Sequence, residues 1–327
     1  MSKVQLSLAV GDYEITRPLI DGRVSPDGVD LVVVSDIDST TRHWRFLRNR
    51  EFDIAELSAS SFLLAREAGQ PIVGIPVFPH RRFRHEFVFV NTSKSIRSPR
   101  DLIGRTVGLK SFQATAIVWM RGILESEYGV PHKSIKWVAE LDEDVEFTPA
   151  PGLDLKRVPH GRKLEDMLVS GEIDACLHTD LIDPYIDGNP AVARLFDDYK
   201  AEETAFFKKT GVFPIMHVVA IKQDVVERHP WLPVELYKAF DRAKTMGVKR
   251  IFNPRVAPLA WWRSAMEEQE KLLGKDPWEY GLTPRNVKNI EMLAGYSRAH
   301  GMLKNAPDVD TLFHSVSQGR GRGGHRV

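Results

Sequence analysis

The sequence is poor in cysteine and has no long apolar segment. Cys176 is the single cysteine in 327 residues, which excludes an internal disulfide and a zinc site built from several cysteines. We interpret it as a small buried side chain on a strand. No apolar run approaches the ~20 residues that cross a bilayer, and the N-terminus lacks the apolar core and cleavage site of a secretory signal. These absences predict a soluble cytoplasmic protein with no membrane partner.

Sequence motifs of several enzyme classes are missing as well. The chain has no Gly-Lys-Ser/Thr phosphate loop, no His-Glu-x-x-His zinc helix, no Gly-x-Ser-x-Gly nucleophile turn, and no Gly-x-Gly-x-x-Gly outside its Gly/Arg-rich tail. Nucleotide cofactors and hydrolase triads are therefore disfavoured. The formal net charge of +1 gives no indication of nucleic acid as a partner.

The chain is longer than one hydrophobic core usually allows, so we expect two lobes. A predicted helix at 40–50 runs into Glu-Phe-Asp-Ile-Ala-Glu-Leu at 51–57, and a second at 163–170 runs into Glu-Ile-Asp-Ala-Cys-Leu-His at 172–178. Each pattern is typical of an α/β unit with a buried parallel strand. One copy in each lobe predicts an α/β fold with two mixed, mainly parallel sheets, flanking helices, and a ligand cleft between the lobes.

Two apolar strands far apart in the sequence, at 87–91 and 217–221, enclose a complete set of α/β units. This layout predicts an inserted lobe of residues 87–221 within an outer lobe of residues 1–86 and 222–316, whose C-terminal part is helical. Residues 317–327 are predicted to be a disordered Gly/Arg tail. Tryptophans in the helical part would pack against a lobe, although they leave a homo-oligomer open: Trp261, Trp262 and Trp278.

Ligands of open α/β sheets bind beyond the carboxyl ends of the strands, and this rule selects a few loops. The loop at 80–85 has the sequence His-Arg-Arg-Phe-Arg-His, directly before a predicted strand. The planar guanidinium of arginine matches a carboxylate through two hydrogen bonds. We therefore expect Arg81, Arg84 and His85 to point together into the cleft and to bind an anionic ligand.

Polar residues in the other loops complete a candidate anion site. Residues 111–115 and 56–60 each begin a helix, where free backbone N–H groups attract anions, although the hydroxyls there could equally be helix caps. Histidines near the predicted cleft have a reference pKa near ~6.5, which suits proton transfer. The candidates from these loops are Asp12, Glu56, Ser58, Ser111, Gln113, Thr115, His178 and His217.

The same loops resemble the 4,5-dihydroxyphthalate decarboxylase family. The resemblance covers residues 4 to about 313, and its more specific pieces are Phe-Arg-His and Trp-x-Arg-Gly. It implies the fold of type II periplasmic binding proteins and a role in bacterial phthalate degradation, with protocatechuate as product. The matching pieces are Gly-Asp-Tyr-Glu (11–14), Glu-Leu-Ser (56–58), Ile-Pro-Val-Phe (75–78), Arg-Arg-Phe-Arg-His (81–85), Asp-Leu-Ile-Gly-Arg-Thr-Val-Gly (101–108), Gln-Ala-Thr-Ala (113–116), Trp-Met-Arg-Gly (119–122) and Pro-Ile-Met-His (214–217).

The resemblance implies a cofactor-independent decarboxylation of a hydroxylated aromatic acid. Arg81 and Arg84, with the loop at 111–115, would hold the carboxylates. Either His85 or His217 would donate the proton, and Glu56 or Asp12 would take the phenolic proton.

Several alternatives remain open at this point. A divalent metal held by Glu56 and histidines is one of them, although no ligand spacing in the sequence requires it. The particular hydroxylated aromatic acid is another. The rivals to an enzyme of this kind are a non-catalytic solute-binding protein that delivers an aromatic acid to a transporter and a cytosolic biosynthetic enzyme of the same fold.

Overall fold

The computed structural model describes residues 3–316, so the predicted tail at 317–327 lies outside the described residues. Eleven strands occur in this part of the chain: β1 (Val4–Ala9), β2 (Val29–Val34), β3 (Ile54–Ser58), β4 (Ile72–Ile75), β5 (Val88–Asn91), β6 (Thr106–Leu109), β7 (Lys136–Ala139), β8 (Leu155–Arg157), β9 (Ala175–Leu177), β10 (Val192–Arg194) and β11 (His217–Lys222). Twelve α-helices accompany them: α1 (Arg17–Ile20), α2 (Ser39–Asn49), α3 (Ala59–Glu67), α4 (Thr115–Tyr128), α5 (Leu164–Ser170), α6 (Asp183–Ile186), α7 (Tyr199–Thr210), α8 (Gln223–Arg228), α9 (Leu232–Ile251), α10 (Trp262–Leu273), α11 (Pro284–Ala299) and α12 (Val309–Leu312).

The strands form two separate sheets. The first has the order β2-β1-β3-β11-β4, and the second has the order β10-β5-β9-β6-β7-β8. In the first sheet β1 is parallel to β2 and β3, whereas β11 is antiparallel to both β3 and β4. In the second sheet β6 is parallel to β7 and β9, and β5 is antiparallel to β9. The predicted α/β fold with two mixed, mainly parallel sheets is therefore confirmed.

The central strand of the first sheet, β3, lies in the interior of the protein. All five residues of β3 are buried, as expected for an interior strand with no solvent-facing side. Helix α4 is buried over its first ten residues, 115–124, and packs against α11. Gly122 makes this packing possible, because a Cβ there would lie 2.2 Å from the Tyr296 ring. Cys176 is buried in β9, as predicted.

The chain leaves the first sheet after β4 and returns to it at β11. The predicted boundary of the inserted lobe at residues 221 and 222 therefore falls within a strand of the first sheet. Because β11 fills the gap between β3 and β4, the whole strand belongs with the outer lobe, and the crossover precedes His217.

Helices α8 to α12 complete the C-terminal part. None of the helices in residues 3–316 has both the length and the apolar character needed to cross a bilayer. Of the three tryptophans predicted to pack against a lobe, Trp262 and Trp278 are partly buried, whereas Trp261 is 81% exposed.

Candidate active site

A buried Glu56–His217 pair lies at the centre of the candidate site. The two residues sit on adjacent antiparallel strands, β3 and β11, where Glu56 is opposite Val219 and His217 is opposite Ser58. This register makes Glu56 and His217 diagonal neighbours on one face of the sheet. Their side chains meet with 2.5 Å between His217 Nδ1 and Glu56 Oε1. The ring nitrogen that remains, Nε2, is then the atom available for proton transfer in the cleft.

Three further donors hold the Glu56 carboxylate in place. Arg42 Nη2 lies 3.0 Å from Oε2, the Gly11 N–H donates to the same oxygen at 2.6 Å, and the Tyr13 hydroxyl donates to Oε1 at 2.8 Å. Burial would raise the pKa of Glu56, but Arg42, His217 and the Gly11 N–H together lower it below its usual range. The carboxylate is therefore ionised at neutral pH. Burial and Glu56 raise the pKa of Tyr13, which keeps its proton.

Two more histidines surround His217. The ring centroids of His43 and His80 lie 4.9 and 4.8 Å from that of His217, both edge-on, and Tyr13 stacks on His80. Burial, His217 and Arg42 lower the pKa of His43 well below its usual value. Burial and His217 do the same to the pKa of His80. Both rings are therefore neutral at pH 7, and His217 is the one that shares a hydrogen bond with a carboxylate.

These groups open into a cavity of about 250 Å³ between the two sheets. Its positive charge comes from the loop after β4. The Arg84 guanidinium stacks on Phe87 and donates to the carbonyls of His178 and Thr179 at 2.9 and 2.7 Å. The cavity is lined by Tyr13, Ser39, Thr40, His43, Ser58, His80, Arg82, Arg84, Ser111, Ala114, Thr115, Ala116, Asp142, Asp144, Thr179, Asp180, Met216 and His217.

A cluster of hydroxyl groups joins the two lobes beside the cavity. Ser58 Oγ lies 2.8 Å from Thr115 Oγ1, and the Ser60 N–H donates to the same threonine oxygen at 3.0 Å. Ser58 caps α3 of the first lobe and Thr115 begins α4 of the second. The starts of two helices therefore meet here, and N–H groups of a first helical turn favour an anion.

Part of the predicted anion site is occupied by the protein itself. Glu143 accepts hydrogen bonds from the N–H groups of Phe112 and Gln113, both at 2.8 Å. The Gln113 side chain bonds both backbone groups of Val145 and does not line the cavity. Gln113 therefore does not face the cavity as expected, because both its backbone and its side chain hold the segment after β7.

The segment after β7 also adds two acids to the cavity wall. Asp142 and Asp144 line the cavity, and the Ser61 hydroxyl donates to Asp144 at 2.7 Å. Burial raises the pKa of Asp144. The cavity thus combines arginines with carboxylates, so it can pair with a ligand that carries both anionic groups and hydroxyl donors.

Apart from Glu56, which contacts the lining residue His217 from behind the cavity wall, four other predicted site residues lie outside the cavity lining. Asp12 turns away and pairs with Arg17 at 2.7 Å. Arg81 is buried and bonds Asn286 at 2.6 Å and the Glu279 carbonyl at 2.9 Å, so it fastens the C-terminal helices. The other two are histidines in the second lobe, His85 and His178.

Both histidines serve the packing of the second lobe. His85 is enclosed by aromatic rings, the nearest being Phe196 with its centroid at 5.1 Å, and burial lowers its pKa to about 4. The His178 ring closes a local turn with the backbone of Asp180, and only its carbonyl reaches toward the site, as an acceptor for Arg84. His85 is therefore not positioned to donate a proton in the cleft.

Several residues that line the site were not among the predicted ones, including Tyr13, His43, His80, Arg82, Asp142 and Asp144. His80 and Arg82 lie in the loop at 80–85, which the strand-end rule had selected. Side chains alternate in direction along an extended segment, so His80 and Arg82 would point away from Arg81 and His85. His43 lies on α2, which follows the carboxyl end of β2, so the same strand-end rule would have selected it.

A metal held by Glu56 and the cleft histidines has no support in this geometry. In residues 3–316, three or more ligand atoms come within 4.8 Å of one another only at Glu125, His132 and His300, outside the cleft.

Solved structures define the class of protein to which this fold belongs. The periplasmic aliphatic sulphonate binding protein SsuA of Escherichia coli superposes with a TM-score of 0.57 and 14% identity, over 100% of this chain and 97% of that one. A Candida albicans protein with the generic periplasmic binding protein fold gives a TM-score of 0.54 and 14% identity, over 95% and 96% of the two chains. The molecule is a two-lobed α/β protein of the periplasmic-binding-protein fold, as predicted.

Sequence relatives identify the family within that class. A 4,5-dihydroxyphthalate decarboxylase of Comamonas testosteroni is 36% identical over 97% of this chain and 98% of its own. One of Pseudomonas putida is 34% identical over 64% of this chain and 83% of its own. Residues 26–140 also match the family described as NMT1/THI5 like. The chain belongs to the 4,5-dihydroxyphthalate decarboxylase family.

Proposed function

We propose that this protein decarboxylates 4,5-dihydroxyphthalate to protocatechuate and carbon dioxide. The observation that carries the proposal is the buried Glu56–His217 pair, which opens onto an arginine-lined cavity in a chain 36% identical to a named decarboxylase of this substrate. The cavity of about 250 Å³ lies at the small end of ligand pockets, which span roughly 300–1,000 Å³, so it suits a compact ligand such as one substituted benzene ring. The proposal also places the protein in phthalate catabolism, in the cytoplasm.

The substrate's two carboxylates need positive partners. Arg82 and Arg84 line the cavity, and the start of α4 at Thr115 supplies backbone N–H groups and a hydroxyl. Asp142 and Asp144 would accept hydrogen bonds from the two ring hydroxyls. This arrangement replaces the predicted pairing of Arg81 with Arg84, because Arg81 faces the C-terminal helices.

The bond changes need one proton delivered to carbon. Loss of the proton from the ring hydroxyl para to the departing carboxylate pushes an electron pair into the ring. The carbon that bears the carboxylate then takes a proton, the bond from that carbon to the carboxylate breaks, and its electron pair restores the aromatic ring as carbon dioxide leaves. His217 Nε2 is our candidate for the proton donor, with Glu56 on Nδ1 stabilising the imidazolium.

Glu56 acts in this scheme as a positioning residue. Its oxygens already accept from Arg42, Gly11, Tyr13 and His217, so no free acceptor is left for a phenolic proton. Asp142 and Asp144, which face the ring hydroxyls in this arrangement, are the groups placed to receive that proton.

Product analysis with and without His217 tests the proposal. Purified protein incubated with 4,5-dihydroxyphthalate is expected to release carbon dioxide and protocatechuate. His217→Asn should lower kcat by ~10²–10⁴-fold while substrate binding persists. The matched control is His160→Asn. It changes an exposed histidine in another part of the chain, so the variant should keep full turnover.

One outcome would favour a solute-binding protein instead. Tight binding of the aromatic acid with no carbon dioxide from any dihydroxyphthalate or hydroxybenzoate would overturn the proposed activity. Turnover that His217→Asn leaves unchanged would overturn the assignment of the proton donor.

A further inference from the structure

A second group of histidines and a carboxylate lies outside the cleft, where α4 ends. Glu125 is in the last turn of α4, and Gly129, with φ +66°, ends the helix and turns the chain back. The short 3₁₀ helix His132–Ser134 follows and brings His132 against Glu125. His300 reaches the same point from the C-terminal end of α11. Three separate segments thus converge on one spot.

The ligand atoms of the three side chains have the spacing of a metal site. Glu125 Oε2 lies 2.9 Å from His132 Nδ1 and 3.4 Å from His300 Nε2, and one ligand atom from each residue falls within 4.8 Å of the others. Ligands at the usual zinc distances in a tetrahedron are about 3.3 Å apart. The two measured distances lie on either side of this value, so small side-chain shifts are enough to receive an ion.

The surroundings of the ligands also suit a cation. Both histidines are buried, and within residues 3–316 neither His132 Nε2 nor His300 Nδ1 has a hydrogen-bond partner. The Glu125 side chain is 40% exposed, which gives an ion a route from solvent and leaves room for water as a further ligand.

We propose that Glu125, His132 and His300 bind one divalent first-row transition-metal ion, with zinc as the best fit to two imidazoles and one carboxylate. The ion would fasten the end of α4 to the end of α11 and so stabilise the fold. The buried Arg121 nearby opposes a cation. We therefore expect weaker binding than in closed zinc sites with four protein ligands.

The test is metal-dependent stability of the full-length protein after treatment with a chelator. At a free Zn²⁺ concentration of ~100 times Kd, the midpoint of thermal unfolding should rise by about 4 °C. Elemental analysis after removal of free ion should find one zinc per chain. Co²⁺ in place of Zn²⁺ should give the visible absorption of a tetrahedral site.

Variants assign the ion to this cluster. Glu125→Gln keeps the shape of the native side chain and removes its charge at a position that is 40% exposed, so the variant is expected to fold even if the buried changes His132→Gln and His300→Gln disturb folding. All three should abolish the Zn²⁺-dependent rise. His217→Asn, which removes the central histidine of the cleft, should retain it. No rise in the wild-type protein, or a rise lost only in His217→Asn, overturns the proposal.

Discussion

Two clusters in this molecule combine one carboxylate with histidines, and their surroundings differ. In the cleft, Glu56 is fully buried and accepts from four donors, one of which is Arg42. At the end of α4, Glu125 is partly exposed, and among residues 3–316 its carboxylate bonds only His132 and His300. A carboxylate with all its acceptor positions filled can only orient its neighbours and stabilise their charge.

The comparison shows that the number of hydrogen-bond partners of the carboxylate, as well as the residue types, decides what each cluster can do chemically. Because Glu56 has all its acceptor positions filled, it fixes the orientation and tautomer of His217 for proton transfer. Glu125 has fewer partners, which leaves lone pairs for a cation. The same residue types therefore predict a general acid in one place and a metal ligand in the other.

Substitution of the two glutamates gives the largest expected contrast. Glu56→Gln removes the charge that stabilises the His217 imidazolium and leaves Arg42 buried without its counter-ion. We expect kcat to fall by ~10²-fold or more and the free energy of unfolding to fall by ~3–5 kcal/mol. Glu125→Gln should leave kcat within about two-fold of wild type. Steady-state decarboxylation assays measure kcat, and urea unfolding measures the free energy of unfolding. An equal loss of turnover in the two variants would contradict the comparison.

A histidine in a third setting gives an intermediate effect. In the described part of the chain, neither ring nitrogen of His85 has a hydrogen-bond partner, and its folded pKa of about 4 lies below the ~6.5 of an unfolded histidine. The unfolded chain therefore binds more protons below pH 6.5, and His85 costs about 2 kcal/mol of stability between pH 7 and pH 5. His85→Phe should remove this loss and leave kcat unchanged.

Glu203 beside His85 acts in the opposite direction. Burial raises the pKa of Glu203 to about 7, so falling pH stabilises the folded form through this group. Both proteins carry Glu203, so the difference between their pH–stability curves isolates His85. If the pH–stability curves of wild type and His85→Phe run parallel, or if the variant loses much of its kcat, the His85 ring does not lie among the aromatic side chains of the second lobe.

A substitution at the start of α4 gives the smallest expected effect. Thr115→Val removes the acceptor of the Ser60 N–H and the contact with Ser58, so we expect a loss of about 1 kcal/mol and a raised KM. Thr41→Val, at an exposed site on α2, is the matched control. A normal KM in Thr115→Val would remove this end of α4 from the substrate site.

Much of the site was predictable because strand ends and helix starts are local features. Glu56, Ser58, Thr115 and His217 were selected from loops that follow strands or from predicted crossovers, and all lie in or against the cavity. The fold class followed from the two helix-to-strand repeats. Both kinds of inference need only hydrophobic patterns and the positions of turns.

The errors lie where tertiary contacts decide which way a side chain points. Arg81 and Arg84 look alike in sequence, but a backbone bridge to Ile215 turns Arg81 toward Asn286. Glu143, distant in sequence, occupies the N–H groups that were expected to bind ligand. Neither contact leaves a local signal, because both depend on how segments from separate parts of the chain pack.

The placement of β11 also has a consequence for the order in which the molecule folds. Glu56 and His217 are 161 positions apart, and the strand that carries His217 inserts between β3 and β4. Pairings between such distant segments form slowly, since a long loop must close first. During synthesis, the first sheet stays split until the whole second lobe has been made. An incomplete chain that ends before residue 217 therefore presents two unpaired strand edges to its surroundings, and it exposes a buried carboxylate that has not yet met its histidine.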